Sequence, residues 1–365
     1  MNNLYEISKI EENFPVLLEL SNTIQDEEFH AEDDVLAHTK MVLVELTHIK
    51  EWNDLNENDK KILFIAAAFH DIGKLSCTKQ ENGKVISPKH AINGAKDFRL
   101  YAWRNLSDYL SFTEREKIVN LIRYHGLPVW IFEKPDPKKE IIKCSLDVPL
   151  HLLYLLAKAD ASGRICDDKE KLLYQVDLFK EYALENNCFN ESFKFENNHH
   201  KYDFLNGTSQ SILYVPYHYP KFEVFLMSGL PGSGKDYYIS KNLKHLPVIS
   251  LDEIRRSLKI PAAKSQGKVI NTAKDEAKKF LRNGESFVWN ATNITFQLRK
   301  KLIDMFTVYK AAVHIVYIEQ DYNTMLYQNR NRESPIPEKA LLKLVNKLEV
   351  PQGHEAHEIE YVVDH

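Results

Sequence analysis

The stretch Phe222–Asp236 reads FEVFLMSGLPGSGKD. Its core, running from Gly229 to Lys235, fits the pattern G-x-x-x-x-G-K. In such a loop Gly229, Gly232 and Gly234, with Ser233, let backbone N–H groups close around phosphates. Lys235 then reaches the β- and γ-phosphates of a nucleotide. One position departs from the pattern. Where a Ser or Thr hydroxyl should hold Mg²⁺, the chain has Asp236. The alternative is a chance Gly-rich turn, and the flanking sequence weighs against it. Val224–Met227 is a short apolar run of strand character. The residues that follow, through Leu243, can form a helix whose N-terminus faces the anion.

A second set of chemically able residues lies in the first half. It comprises His38, the adjacent pair His70-Asp71, then His90, His125 and Asp160. Imidazoles and carboxylates suit Mn, Fe, Co, Ni or Zn. A carboxylate can bridge two such ions, and paired metals about 4 Å apart clamp a phosphate and activate a water. Taken singly, each is more simply a core or surface residue, since the chain has 15 histidines. His70-Asp71 stands out because it closes an apolar stretch, where an unpaired polar group is costly.

These residues need elements to position them. Val35–Lys50 carries Val35, Met41, Val42, Leu46 and Ile49 at helical spacing. Ile62–Phe69 (ILFIAAAF) is apolar all round and reads as a core helix, with Gly73 suited to stopping it. Further helices are expected over Pro15–Thr23, Ala91–Leu110, Thr113–His125 and Pro149–Asp160, and one or two more within Asp167–Phe195. No strand pattern competes before about residue 210. Glu196–Lys221 is polar and aromatic, with the turn signal Asn206-Gly207 and two prolines, and reads as a linker. Its tyrosines and histidines could also stack on bases.

After the phosphate loop the pattern alternates. Pro247–Leu251 is a strand that delivers Asp252 at its carboxyl end, where ligand crevices form in open α/β sheets. A helix N-cap is the other reading of Asp252. Ser286–Trp289 and Ala311–Ile318 are further strands. Helices fit Lys264–Arg282 and Phe296–Phe306, which implies a parallel sheet. Tyr322–Arg332 is a helix ending in Arg330 and Arg332, and one more helix follows the next prolines.

The composition is that of a water-soluble globular protein. Apolar residues make up 44% and charged residues 27% of 365 residues, enough for two or three domains. A net charge of −4 excludes a uniformly basic surface, so any nucleic-acid contact must be local. Cys77, Cys144, Cys166 and Cys188 form no C-x-x-C pair and are expected as buried thiols in a reducing compartment. There is no opening leader and no run of about 18 apolar residues, so no membrane and a cytoplasmic setting are expected.

The strings VLAHTKMVLVEL, FIAAAFHDIGKL, PKHAINGA, IRYHGLP and AKADASGR resemble the HD-domain metal phosphohydrolases over roughly Asp34–Asp168. That resemblance implies that His38, His70, Asp71 and Asp160 bind one metal. His90 and His125 would complete a second site with Asp71 bridging, and Lys74 would lie near the substrate phosphate. His30, His48 and His151 match no family position and are expected to be structural. GLPGSGKD, ISLDEIRRSL, VWNATN and QNRNRESPIPEKALLKLVNKLEVP resemble P-loop kinases that include the polynucleotide kinases, over about Val224–Asp364. There Asp252 would accept the proton of an attacking 5′-hydroxyl and Arg255 would contact the acceptor phosphate. Arg330 or Arg332 would hold the transferring phosphate from a helical lid.

The whole chain resembles the bacterial HD-Pnk proteins, bifunctional RNA end-healing enzymes. The expected fold is therefore an all-α HD domain over 1–195, a linker over 196–221, and an α/β P-loop kinase over 222–365. Expected cofactors are ATP or another NTP with Mg²⁺, and one or two divalent transition metals in the HD domain. RNA or DNA ends would be the substrates, with a nucleic-acid ligase acting downstream. Two other readings stand beside this one. The first is a nucleoside or sugar kinase fused to a nucleotidase; the second is a phosphohydrolase governed by an ATP-binding switch.

Overall fold

A computed structural model describes residues 4–24, 34–207, 211–261, 266–332 and 335–363. The chain forms two compact units, Met1–Phe193 and Lys194–His365.

The first unit is helical around one fully buried element. Helix α1 (Val35–His48) starts where the Asp34 carboxylate accepts the Ala37 N–H at 2.8 Å. Helix α2 (Glu57–Phe69) begins on an Asn56 cap, and every residue from Ile62 to Phe69 is shut from solvent. Such a helix has no polar face because neighbours cover it on all sides. They are α1, α3 (His90–Asn105), α4 (Phe112–Tyr124) and α5 (Leu150–Ser162). Helix α6 (Lys169–Glu185) packs on α5. Helix α4 opens with a reciprocal capping box between Ser111 and Glu114. Pro15–Asn22 is a 3-10 helix.

Two expectations for this unit are corrected. Strands do occur before residue 210: β1 (Lys79–Glu81) and β2 (Lys84–Ile86) form an antiparallel ribbon. Asn82 and Gly83, both at positive φ, make its turn, as Asn-Gly pairs do in tight hairpins. Gly73 does not stop a helix by adopting a left-handed conformation, since its φ is −68°. It is glycine because a Cβ there would lie 2.1 Å from the His90 carbonyl oxygen and 2.5 Å from the Gly94 nitrogen.

The second unit is a five-stranded parallel sheet in the order β4-β5-β3-β6-β7. The strands are β3 (Glu223–Ser228), β4 (Val248–Ser250), β5 (Phe287–Asn290), β6 (Ala312–Glu319) and β7 (Glu358–Val363). Side chains alternate between two buried layers, as a strand covered on both faces requires. Val224, Leu226, Val313 and Ile315 point into the layer with Trp289 and Phe306. Met227, Val316 and Ile318 point into the other, with Ile239.

The fifth strand, β7, was not among the expected elements, although its EIEYVV run is β-prone. Glu196–Lys221, read from the sequence as a linker, contains helix α7 (Asn198–Asn206). That helix belongs to the second unit. Tyr202 stacks on His357 with ring centres 4.2 Å apart, and Asn206 donates to the His354 carbonyl at 2.7 Å.

All four cysteines are free, Cys144 and Cys188 buried and Cys77 and Cys166 half-buried. Among the described residues, no helix is long and apolar enough to cross a membrane.

Candidate metal centre and phosphate site

In the first unit the starts of α1 and α3 and the ends of α2, α4 and α5 converge. His38 comes from the first turn of α1 and Asp160 from the last turn of α5; the His38 Nε2 lies 3.1 Å from Asp160 Oδ1. His70 caps α2 and His125 caps α4, while His90 opens α3. The ligand atoms form two groups, each within 4.8 Å: His38, His70 and Asp160, and Asp71, His90 and His125. Asp71 faces both groups. Its Oδ2 is 3.3 Å from His70 Nε2, and its Oδ1 is 3.3 Å from His90 Nε2.

The donor atoms are prepared for a cation. His70, His90 and His125 each place Nδ1 against a backbone carbonyl, at 2.7, 2.9 and 2.7 Å from Ala67, Ser87 and Ile122. A carbonyl only accepts, so Nδ1 carries the proton and Nε2 is left with a lone pair. Burial, with His90 and His70 acting in the same direction, lowers the His125 pKa to about 3, so this ring is neutral. The His90 and His125 Nε2 atoms lie 3.2 Å apart, a contact that a metal ion or a single shared proton satisfies. The His70 Nε2 is buried with no hydrogen-bond partner. This N/O set fits a divalent transition metal.

Positive charge surrounds the carboxylates. Burial pushes the Asp71 carboxyl up, but the Lys74 ammonium at 2.8 Å, then His70 and His90, hold it well below the usual range. Burial acts likewise on Asp160, and the Arg164 guanidinium and His38 outweigh it. Arg164 grips both Asp160 oxygens, at 3.1 and 2.7 Å. It leaves Oδ1 shared with His38 and locks Oδ2. Sequence reading did not single out Arg164; its position four residues after Asp160 on a helical register was the available signal. His48 is exposed and His151 half-buried, both outside these groups, and His30 lies outside the described residues.

In the second unit the phosphate loop follows β3. Gly229, Gly232 and Gly234 have φ of 150°, 84° and 95°, which L side chains rarely adopt. A Cβ on Gly229 would lie 2.4 Å from the Ile318 carbonyl oxygen; one on Gly232 would lie 3.1 Å from both Met325 O and Asn329 N. The loop is thus closed in by the end of β6 and by α10 (Tyr322–Arg330). Lys235, the first residue of α8 (Lys235–Asn242), donates to the carbonyls of Gly229 and Leu230 at 2.9 and 2.7 Å. Desolvation lowers its pKa to about 8, against the opposing pull of Asp236. Ser233 is buried at 1% exposure, its hydroxyl 3.4 Å from the Lys235 Nζ.

Asp252 lies in the first turn of α9 (Leu251–Ser257), after β4. The cap of that helix is Ser250, whose hydroxyl accepts the Glu253 N–H, so capping does not occupy Asp252. Its carboxylate is 56% exposed, 2.7 Å from Arg255 Nη1 and 3.8 Å from Arg332 Nη2. Arg255 also donates from Nε to Gln266 at 2.9 Å. The two arginines near the end of α10 diverge. Arg332, 29% exposed, turns toward Asp252, whereas Arg330, 66% exposed, faces Glu338 at 3.4 Å. Asn329, buried in the same helix, clasps the Ile336 backbone at 2.9 and 3.2 Å.

Another arginine absent from the sequence reading fixes the loop after β5. Arg299, fully buried, holds Glu355 with two hydrogen bonds and reaches the Asn293 and Glu349 carbonyls at 3.2 and 2.7 Å. Asn293 in turn donates to the Met227 carbonyl at 2.7 Å, tying this loop to the end of β3.

The family model described as "HD domain" matches residues 35–148, which include every histidine of the metal groups and Asp71 but not Asp160. The model described as "AAA domain" matches residues 224–351. No curated protein matches the chain. A solved structure described as a candidate kinase from Chloroflexus aurantiacus is similar at 16% identity and a TM-score of 0.32. The match covers 39% of this chain and 84% of that one, and a likeness at that score says nothing about chemistry. HD domains bind divalent metals, and a P-loop kinase domain implies a nucleotide with Mg²⁺. The chain is an HD phosphohydrolase domain, with side-chain groups fit for metal, fused to a kinase-like P-loop domain.

Proposed function

We propose that the chain heals nucleic-acid ends. Its second unit phosphorylates 5′-hydroxyl ends of RNA or DNA with an NTP. Its first unit removes 2′,3′-cyclic, 2′- or 3′-phosphates, leaving ends that a ligase can join.

The observation that carries this reading is the Asp252 cluster. A solvent-open carboxylate sits between two guanidinium groups at the carboxyl edge of the sheet, on the same side as Lys235. Phosphoryl transfer is mostly positioning and charge stabilisation, with one group to orient the nucleophile. Asp252 accepts the proton of the attacking hydroxyl. Arg255 meets a phosphate on the acceptor, which a polynucleotide 5′ end carries next to its terminal nucleoside and a free nucleoside lacks. Arg332 faces the transferring phosphate, and Lys235 with the loop N–H groups holds the donor.

In the first unit His38, His70, Asp71 and Asp160 would hold one metal, and His90, His125 and Asp71 a second. Such ions supply Lewis acidity and a water activated at neutral pH. The protein's own part is charge placement. Lys74 and Arg164 offset the two buried carboxylates and present positive charge to an incoming phosphate.

Acceptor size tests the proposal. With ATP and labelled γ-phosphate, 5′-OH oligonucleotides should be phosphorylated far faster than nucleosides or sugars at equal concentration. A preference for nucleosides would replace it with a small-molecule kinase.

A further inference from the structure

Asp236 stands where the phosphate loop departs from its motif, and the fold supplies it with a partner 54 residues away. The Asn290 amide donates to Asp236 Oδ1 at 2.7 Å. Asn290 is 8% exposed and ends β5, a strand buried along its whole length, so the amide is rigidly mounted. Among the described residues, Asp236 Oδ2 has no hydrogen-bond or ion-pair partner. The carboxylate is in the first turn of the helix that opens directly after the loop glycines.

A carboxylate in this place behaves differently from a hydroxyl. It is a hard oxygen ligand suited to Mg²⁺. Without the metal it repels the nucleotide phosphates, because like charges at a few ångströms oppose one another even in a wet site. A hydroxyl would ligate the ion without that repulsion. The neutral Asn290 fixes one carboxylate oxygen and adds no charge of its own.

We propose that the Asp236–Asn290 pair seats the nucleotide's Mg²⁺ and makes nucleotide binding conditional on it. The site then accepts Mg·ATP and turns away metal-free ATP. This rests on the second unit binding an NTP, but not on the identity of the acceptor.

The test is ATP binding by calorimetry on the full chain, in Mg²⁺ and in EDTA, without turnover. The wild type should bind ATP at least about tenfold more tightly in Mg²⁺, a difference of about 1.4 kcal/mol. Asp236→Asn removes the charge and keeps the shape. It should bind metal-free ATP more tightly than the wild type, and the ratio between conditions should fall to near one. Asp236→Ser should also raise affinity for metal-free ATP. Adding Asn290→Asp to that variant should restore the discrimination, a coupling that a double-mutant cycle reads directly. Equal affinities for metal-free ATP in wild type and Asp236→Asn overturn the proposal. So does an additive double mutant. Wild type that binds ATP in neither condition overturns it together with the nucleotide reading. Discrimination without phosphorylation of any polynucleotide end would instead leave it standing and remove the proposed acceptor.

Discussion

Replacing Gly73 by Ala probes how the metal groups are held together. The backbone at Gly73 has φ −68°, so alanine meets no conformational penalty there. The effect is purely steric. A Cβ would lie 2.1 Å from the His90 carbonyl oxygen, whereas carbon and carbonyl oxygen ordinarily stop at about 3.3 Å. The first turn of α3 must therefore retreat by about 1 Å, and both clashing groups are backbone that cannot rotate away. Overpacking of this kind costs roughly 1–3 kcal/mol, and the upper end applies here. His90 rides on the displaced turn, with its Nε2 now 3.3 Å from Asp71 and 3.2 Å from His125. A misplacement of about 1 Å costs on the order of 10²-fold in rate. We expect phosphate release by Gly73→Ala to fall about that much and its metal content to drop. Retained helical circular dichroism at the assay temperature is the control for folding, and kinase activity, housed in the other unit, should be unchanged. Gly83→Ala is the steric control. It strains a φ of 77° but meets nothing within 4 Å, so it should leave phosphate release unchanged. Gly73→Ala with phosphate release and metal content within threefold of wild type would refute the argument.

Three further predictions concern the second unit. Asp252→Asn should lower kcat for 5′-phosphorylation by about 10²–10⁴-fold with nucleotide binding retained, and Arg332→Ala should cost kcat more than Arg330→Ala does; equal losses for the two arginines, measured by single-turnover kinetics, would cancel their separation. Burial, then His199, Lys201 and His314, lowers the His357 pKa from the ordinary 6.5 to about 3, so the unfolded chain binds a proton in that window that the folded one does not. Stability is full above 6.5 and should fall by up to about 1.4 kcal/mol for each pH unit below it; His357→Phe should flatten the slope of melting temperature against pH, and an unchanged slope would assign the proton elsewhere.

Much of the architecture was legible because local chemistry and tertiary role coincide. Gly229 to Lys235 announces a phosphate loop since only glycines tolerate its three positive φ values. Ile62–Phe69 announces a buried helix because nothing polar interrupts it. The rest depended on what the chain brings together in space. Which histidines share a group is a matter of helix packing. Arg330 and Arg332, two residues apart, look alike in sequence, and only the path of the chain turns one to Asp252 and the other to Glu338. Gly73 reads as a helix stop, yet its reason is a neighbouring backbone seventeen residues on. The β1–β2 ribbon did carry a signal, Asn82-Gly83, which the surrounding helical pattern obscured. At Asp236 the sequence shows only a departure from the phosphate-loop pattern; its hydrogen bond to Asn290, 54 residues on, is a tertiary fact.

The central claim is that one chain holds two independent phosphate chemistries directed at nucleic-acid ends. The most direct measurement uses one RNA labelled at both termini, with a 5′-hydroxyl and a 2′,3′-cyclic phosphate, incubated with ATP, Mg²⁺ and a transition metal. Wild type should produce a 5′-phosphate and a 3′ end free of phosphate. Asp71→Ala should keep the first and lose the second, and Lys235→Ala should do the reverse. Loss of both activities through either substitution in a folded protein, or a wild type that alters neither terminus, would contradict the account.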